Sequence, residues 1–262
     1  MDYININKKL WNAKTDIHYQ SDFYAVDDFL KGKDSLNPIE LELLGNIEGK
    51  SILHLQCHFG QDSISLARHG AKVTGVDFSE KAIEKARQLN EQLGTDARFI
   101  QSDVYELPKI LDEKFDIVYT SYGVIGWLPD MKKWAALIEH FLKPGGQLVF
   151  VEFHPIVWMF SYDFERVEFD YMESEAIVEE LEGTYTDNDA PIKGKSVCWN
   201  HGLSTVIDSL LKAGLTLTDF KEYNYSPYDC LDNLVEVEKG KYKVKGLENK
   251  FPLVYSLAAV KS

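Results

Sequence analysis

The sequence is poor in cysteine: Cys57, Cys198 and Cys230 are the full set in 262 residues. An odd, scattered trio does not make a disulfide framework, and it predicts a cytoplasmic setting. No apolar run is long enough to cross a bilayer, so no membrane span is expected. The N-terminus, M-D-Y-I-N-I-N-K-K-L-W-N, has neither an uninterrupted apolar core nor a small-residue cleavage site, and no signal peptide is predicted. Basic residues are scarce as well: 28 Lys and Arg against 42 Asp and Glu leave a formal charge of −14. Such a surface repels phosphate backbones and anionic lipid, which argues against nucleic acid or membrane as a partner. No internal repeat or low-complexity tract is visible, so repeat architectures are set aside.

What is present suffices for a full core, and one domain over residues 1–262 is expected. The acidity is concentrated. Between Ile156 and Ala190 eleven acids, Glu173 among them, face one base, Arg166, so this stretch carries −10 of the −14. A solvated face is one reading; a lid favouring a neutral or cationic substrate is the other.

Residues 1–36 mix aromatic and polar residues in helical pieces and read as an N-terminal cover. Asn37-Pro38 starts a helix that Gly45 closes. From Ser51 to Phe153 short apolar runs alternate with helical periodicity. Strands are predicted at Ser51–Leu55, Lys72–Asp77, Arg98–Gln101, Phe115–Thr120 and Gln147–Phe153, the last after a Lys143–Gly146 turn. Helices intervene, among them one capped by Ser79 with Ala82, Ile83, Ala86, Leu89 and Leu93 at three- and four-residue spacing. Alternation of this kind implies right-handed crossovers and a mainly parallel sheet. After His154-Pro155 the pattern breaks, and residues 156–200 read as an inserted acidic lid with some strand. A helix at Ser204–Ala213, a strand at Leu215–Glu222 and an alternating strand at Leu253–Val260 close a seven-strand plan.

The densest information lies in S-I-L-H-L-Q-C-H-F-G, Ser51–Gly60, followed by A-K-V-T-G-V-D-F-S, Ala71–Ser79. A buried strand runs into a tight loop and a helix, and the next strand ends on an acid. That layout suits a nucleoside-bearing ligand whose ribose meets a carboxylate. The loop keeps only Gly60; Gln56 and His58 stand where small residues usually do. A dinucleotide oxidoreductase is disfavoured, because Q-C-H-F-G-Q lacks the three-glycine path a pyrophosphate needs.

Taken in order, these pieces resemble the class I S-adenosylmethionine (SAM)-dependent methyltransferases. I-L-H-L-Q-C-H-F-G matches motif I, V-T-G-V-D-F-S the ribose strand and F-I-Q-S-D-V the adenine loop; F-D-I-V-Y-T-S-Y and L-K-P-G-G-Q-L-V-F-V-E match the fourth and fifth strands. The H-L-Q-C-H-F-G form, with Phe23-Tyr24 upstream and E-F-H-P at Glu152–Pro155, is similar to a bacterial subgroup of that family. The resemblance implies an α/β, Rossmann-like sheet of seven strands with an antiparallel last strand. It also implies methyl transfer from SAM to a small-molecule acceptor, neutral or cationic; a SAM-binding protein without transferase activity is the alternative. It sets no oligomeric state.

Roles follow position by position from the resemblance. Asp77, flanked by Phe78 and Ser79, accepts from the ribose hydroxyls, or else serves as a helix-start acid. Ser102, Asp103 and Val104 take the adenine, unless Asp103 is a turn cap. Gln56, Cys57 and Gly60 line the methionyl end, and Ser121, counted with the cofactor-binding residues, stands beyond the fourth strand toward the acceptor. Acceptor-side candidates are His18, Tyr24 and Trp127, with Tyr122 and His154 as catalytic candidates. His154 is the base candidate because its ordinary pKa suits neutral pH, and a structural turn residue is the competing role. A zinc set of His54, Cys57 and His58 lacks a second ligand cluster, and no metal is expected.

Overall fold

In the computed structural model, which describes residues 1–172 and 175–262, one seven-stranded sheet organises the chain. Its parallel part is β1 (Ser51–Leu55), β2 (Lys72–Asp77), β3 (Arg98–Gln101), β4 (Phe115–Ser121) and β5 (Leu142–Phe153). β8 (Leu215–Tyr223) and β11 (Val254–Lys261) complete it, in the order β3-β2-β1-β4-β5-β11-β8. The chain steps outward from β1 to β3, then returns to β4 on β1's other side. In open α/β sheets such a reversal opens a crevice at the carboxyl ends of the strands.

The strands are apolar because both faces are covered. Leu53, Leu55, Val118 and Phe150 pack on α6 (Met131–Phe141) and α7 (Leu203–Lys212), with Trp134, Phe141 and Val206 among the contacts. Ile52, Val73, Ile117 and Tyr119 pack on α4 (Gln61–Arg68) and α5 (Glu80–Leu93). In α5 Ser79 caps the first turn, its hydroxyl accepting from Ala82 N–H at 3.1 Å, and Gly94 ends the helix at φ 62°. Leu89 on its inner face is 0% exposed, a burial worth about 2 kcal/mol, so Leu89→Asp would unseat the helix.

Two segments depart from the sequence reading. The Lys143–Gly146 turn is an excursion inside β5: Leu142 pairs with Phe115, and pairing resumes with Gln147 opposite Ile117. Gly146 permits the return, since a Cβ there would stand 2.9 Å from the Lys143 carbonyl oxygen. β11 does not alternate between core and solvent. It enters between β5 and β8, antiparallel to both, and is buried on both faces from Val254 to Ala259. A hairpin of β9 (Leu234–Glu238) and β10 (Lys241–Val244) was not legible, because its charged alternation resembles a solvated loop.

The N-terminal segment forms α1 (Tyr3–Gln20), α2 (Val26–Leu30) and α3 (Pro38–Leu44). Within residues 156–200, β6 (Ile177–Glu182) and β7 (Lys193–Cys198) pair antiparallel, and Lys193 and Lys195 meet Glu182 and Glu180 across the pair. Glu173, counted in the acidic stretch, lies outside the described residues. Asn7 fastens this hairpin to α1: its Nδ2 donates to Val197 O at 2.7 Å and its Oδ1 accepts from Val197 N–H at 2.9 Å. α1 is thereby held over the crevice. Among the described residues no helix is long and apolar enough to cross a membrane.

Candidate functional site at the carboxyl ends of the strands

The loop after β1 keeps the shape of a glycine path without the glycines. Gln56, His58 and Gly60 all have positive φ, at 55°, 50° and 79°. For the two non-glycine residues this costs roughly 1–2 kcal/mol each, and such strain collects at functional sites. Neighbouring strands hold the loop in place. Cys57 N–H donates to Val76 O at 2.9 Å, His58 N–H to Asp77 Oδ2 at 2.9 Å, and Gln56 Nε2 to Val124 O at 2.8 Å. Gln56 Oε1 is buried with no hydrogen-bond partner. Gly60 answers to packing: a Cβ there would lie 2.6 Å from the Phe99 ring and 2.9 Å from Ala86 Cβ. The thiol of Cys57 is buried and its pKa pushed up by that burial.

Asp77 ends β2 beside this loop. Its Oδ1 accepts from Ser79 N–H at 2.9 Å, and with no cation adjacent, burial pushes its carboxyl up to about 6. Each oxygen still has acceptor capacity for a further donor. Phe78 is half-buried, and its carbonyl accepts from Gln101 Nε2 at 3.0 Å. The Ser79 hydroxyl is occupied, by its capping role and by donation to Asn12 Oδ1 of α1 at 2.7 Å. At the end of β3, Ser102 Oγ donates to Asp103 O, Val104 is buried, and Asp103 Oδ1 caps the following 3-10 turn by accepting from Tyr105 N–H at 3.0 Å. Asp103 thus caps this turn through Oδ1.

Beyond β4, Ser121 lies beside Asp62 at the start of α4. Tyr122, at φ 46°, donates its hydroxyl to Glu40 Oε2 at 2.8 Å, while Glu40 Oε1 accepts from Asn37 N–H at 2.6 Å. Trp127 Nε1 donates to Gly123 O at 2.9 Å. Glu152, at the end of β5, organises this turn. It is buried and accepts from the N–H groups of Gly123, Val124, Ile125 and Phe153.

His154 is not brought to this cluster. Its Nδ1 accepts from Ile156 N–H at 3.2 Å, and its Nε2 lies 2.9 Å from Glu222 Oε1 of β8, two strands over. Its Nε2 thus faces Glu222 of β8, and its Nδ1 serves the turn that follows β5. His201 directs Nε2 to Leu128 O at 2.7 Å. His54 points away from Leu53 and Leu55, as strand alternation requires, and its Nδ1 meets Ser63 Oγ at 2.8 Å.

The cover closes over the loop. His18 of α1, fully buried, meets His58 Nε2 through Nδ1 at 3.0 Å and Thr184 Oγ1 of the insert through Nε2 at 2.6 Å. Tyr24 stacks near His18 at 5.6 Å and shares a hydrogen bond with Tyr185 of the insert at 2.5 Å. Trp11 stands edge-on to His58 at 5.3 Å and to Trp127 at 5.4 Å. His18, Tyr24 and Trp127 are therefore gathered around one loop. The sequence reading missed Glu40, Asp62 and Glu152 as site residues. An acid ending a strand was the available signal for Glu152; no local signal marks Glu40 or Asp62.

Among the described residues no group of three or more His, Cys, Asp or Glu is arranged to hold a metal. A groove lined by Tyr162, Arg166, Glu168 and Glu179 lies on the insert and shares no residue with this cluster.

Residues 52–146 match the family described as methyltransferase domain. A ubiquinone biosynthesis O-methyltransferase of Alkalilimnicola ehrlichii is 32% identical over 119 residues, 44% of this chain and 48% of that protein. A methyltransferase of Synechocystis is 32% identical over 131 residues, 49% of this chain and 59% of its own. The chain thus spans about half the length of the relatives it matches. Among solved structures, a SAM-dependent methyltransferase of Mesorhizobium loti superposes with a TM-score of 0.59 at 20% identity, covering 88% of this chain and all of that one. The DhpI–SAH complex superposes at 0.58 and 17% identity, covering 98% and 96%. At these identities the likeness shows the fold alone, a Rossmann-like α/β fold.

Proposed function

We propose that this protein, whose residues 52–146 match the methyltransferase domain family, moves a methyl group from SAM to a small-molecule acceptor. The observation that carries the reading is the Gln56–Gly60 loop hydrogen-bonded to Asp77, a carboxylate at the end of the second strand of the matched segment.

The residues fit the cofactor. The orphaned Gln56 Oε1 suits the methionyl ammonium, a donor it now lacks. Asp77 has acceptor capacity for the two ribose hydroxyls, and the second carboxylate oxygen of Asp103 for the adenine amino group. When bound, SAM supplies a sulfonium methyl, the electrophile of an in-line displacement. The chain supplies position and exclusion of water. Trp11, Trp127, Tyr24 and Tyr122 wall the crevice, and the contacts of His18 with His58 and Thr184 close the cover over the reacting end.

Calorimetric titration with SAM tests the reading on the wild type and on Asp77→Asn. The wild type binds, and the variant, keeping one acceptor oxygen, loses about tenfold or more in affinity. Absence of binding to the wild type would overturn it. A SAM-binding protein without transferase activity is the second reading, favoured by the side chains of Gln56 and His58 in the loop; it predicts binding with no methylated product.

A further inference from the structure

We propose that the recess between Asp62, Tyr24, Tyr122 and Tyr228 takes a cationic amine as the methyl acceptor, a substrate class that rests on the transferase reading above.

Asp62, Tyr24, Tyr122 and Tyr228 are all partly buried, each with some accessible surface, and the Tyr228 ring bridges Phe23 and Tyr122. The wall of the recess is a continuous set of rings. Tyr122 stands edge-on to Tyr228 at 5.0 Å, Phe23 lies 5.7 Å from Tyr228, and Phe23 lies 5.5 Å from Tyr185. Asn37 fixes the Tyr228 hydroxyl by donating to it at 2.7 Å.

The charge within is of one sign. Asp62 and Glu40 both act on Tyr228 and on Tyr119, and among the described residues neither carboxylate forms an ion pair. Glu40 is satisfied by Asn37 and Tyr122; Asp62 has only the hydroxyls of Ser35 and Ser121 beside it. A second observation points to the same place. Tyr119, 0% exposed, lies on the α4-facing side of β4, its hydroxyl under the influence of Glu40 and Asp62; Ser121 stands beside that hydroxyl, but no hydrogen bond of ordinary geometry satisfies it. Carboxylates and an orphaned hydroxyl behind aromatic rings are complementary to an ammonium, which gains both the ion pair and cation–π attraction. An anionic acceptor meets repulsion. A neutral phenol or alcohol leaves Asp62 an enclosed charge without a counter-ion.

The same arrangement serves transfer. The ammonium gives one proton to the Asp62 carboxylate, exposing the nitrogen lone pair. That pair forms the new N–C bond while the methyl carbon's bond to sulfur breaks, its electrons remaining on sulfur as a neutral thioether. The product leaves as an N-methylammonium.

The test uses SAM-saturated full-length protein titrated with 2-phenylethylamine and, as its neutral counterpart, 2-phenylethanol. The amine is expected to bind at least tenfold tighter. Asp62→Asn removes that preference while SAM affinity stays within about twofold. Tyr228→Phe keeps the preference and Tyr228→Leu weakens amine binding about fivefold, which separates loss of the ring from loss of the hydroxyl. Equal or absent binding of the two compounds by SAM-bound wild type, or an Asp62→Asn protein that still prefers the amine, overturns this inference alone. Failure of the wild type to bind SAM overturns the transferase reading with it.

Discussion

His18 Nδ1 and His58 Nε2 meet at 3.0 Å, joining the N-terminal helix to the loop after the first strand. One ring must donate and the other accept, so the pair is a hydrogen bond between two neutral imidazoles. The second nitrogen of His18 continues the chain to Thr184 of the insert. Three segments far apart in sequence are thus tied at one point over the crevice.

His18→Ala should therefore loosen both cover and insert. It leaves the His58 nitrogen and the Thr184 hydroxyl without their partner, a loss of about 1–3 kcal/mol in a denaturant titration. Limited proteolysis should then cut within residues 1–36 or 177–198 before it reaches the sheet.

The pH dependence of stability follows from two opposed sets. Burial holds His18 near about 2 and His54 and His58 near about 3, against an ordinary 6.5. Burial also raises Asp62 and Asp77 to about 6 and Glu40 to about 7. Below pH 6.5 the unfolded chain takes protons on its histidines, which removes stability. The folded chain takes them on the three carboxylates, which adds it. Each group contributes a slope of roughly 1.4 kcal/mol per pH unit, so the sets offset one another between about pH 6 and 4.5. Below about pH 4 the unfolded carboxylates are protonated too, and only the histidine loss remains. Denaturation midpoints should be nearly level down to about pH 4.5 and then fall steeply.

Gly60→Ala separates packing from ligand contact. The new Cβ would meet Phe99 at 2.6 Å at a φ of 79°, so the variant should lose about 2–4 kcal/mol before any ligand is added. Adding Phe99→Leu should recover the steric share and leave the backbone share.

Glu152→Gln tests the turn after β4. A carboxylate now accepts from the N–H groups of Gly123, Val124, Ile125 and Phe153, and an amide offers one acceptor oxygen. The variant should lose about 2–3 kcal/mol in thermal or chemical unfolding. Acceptor binding should weaken more than SAM binding, because Tyr122 and Trp127 lie on this turn and Asp77 does not.

The sheet was legible because both of its faces are buried, which makes each strand of the parallel set an apolar run bounded by caps and glycines. Asp77 and the loop were legible for a related reason: a strand end and a helix start fix where their residues stand. The positive φ at Gln56 and His58 shows the backbone following a path that glycine adopts more readily. What the sequence hid depends on contacts across the chain. Nothing local distinguishes Asp62 or Glu40 from a surface acid; only the folded rings of Tyr24, Tyr122 and Tyr228 enclose them. The neighbours of His154 were equally hidden: β11 enters between β5 and β8, and the imidazole that follows β5 faces Glu222.

The most direct measurement is a crystal structure of the protein with SAH bound. The account predicts both ribose hydroxyls on the Asp77 carboxylate, the ligand's ammonium on Gln56 Oε1, and its sulfur turned toward the Asp62–Tyr122 recess. A ligand seated elsewhere, with Gln56 Oε1 still unpaired and Asp77 bonded only to His58 and Ser79, would contradict it.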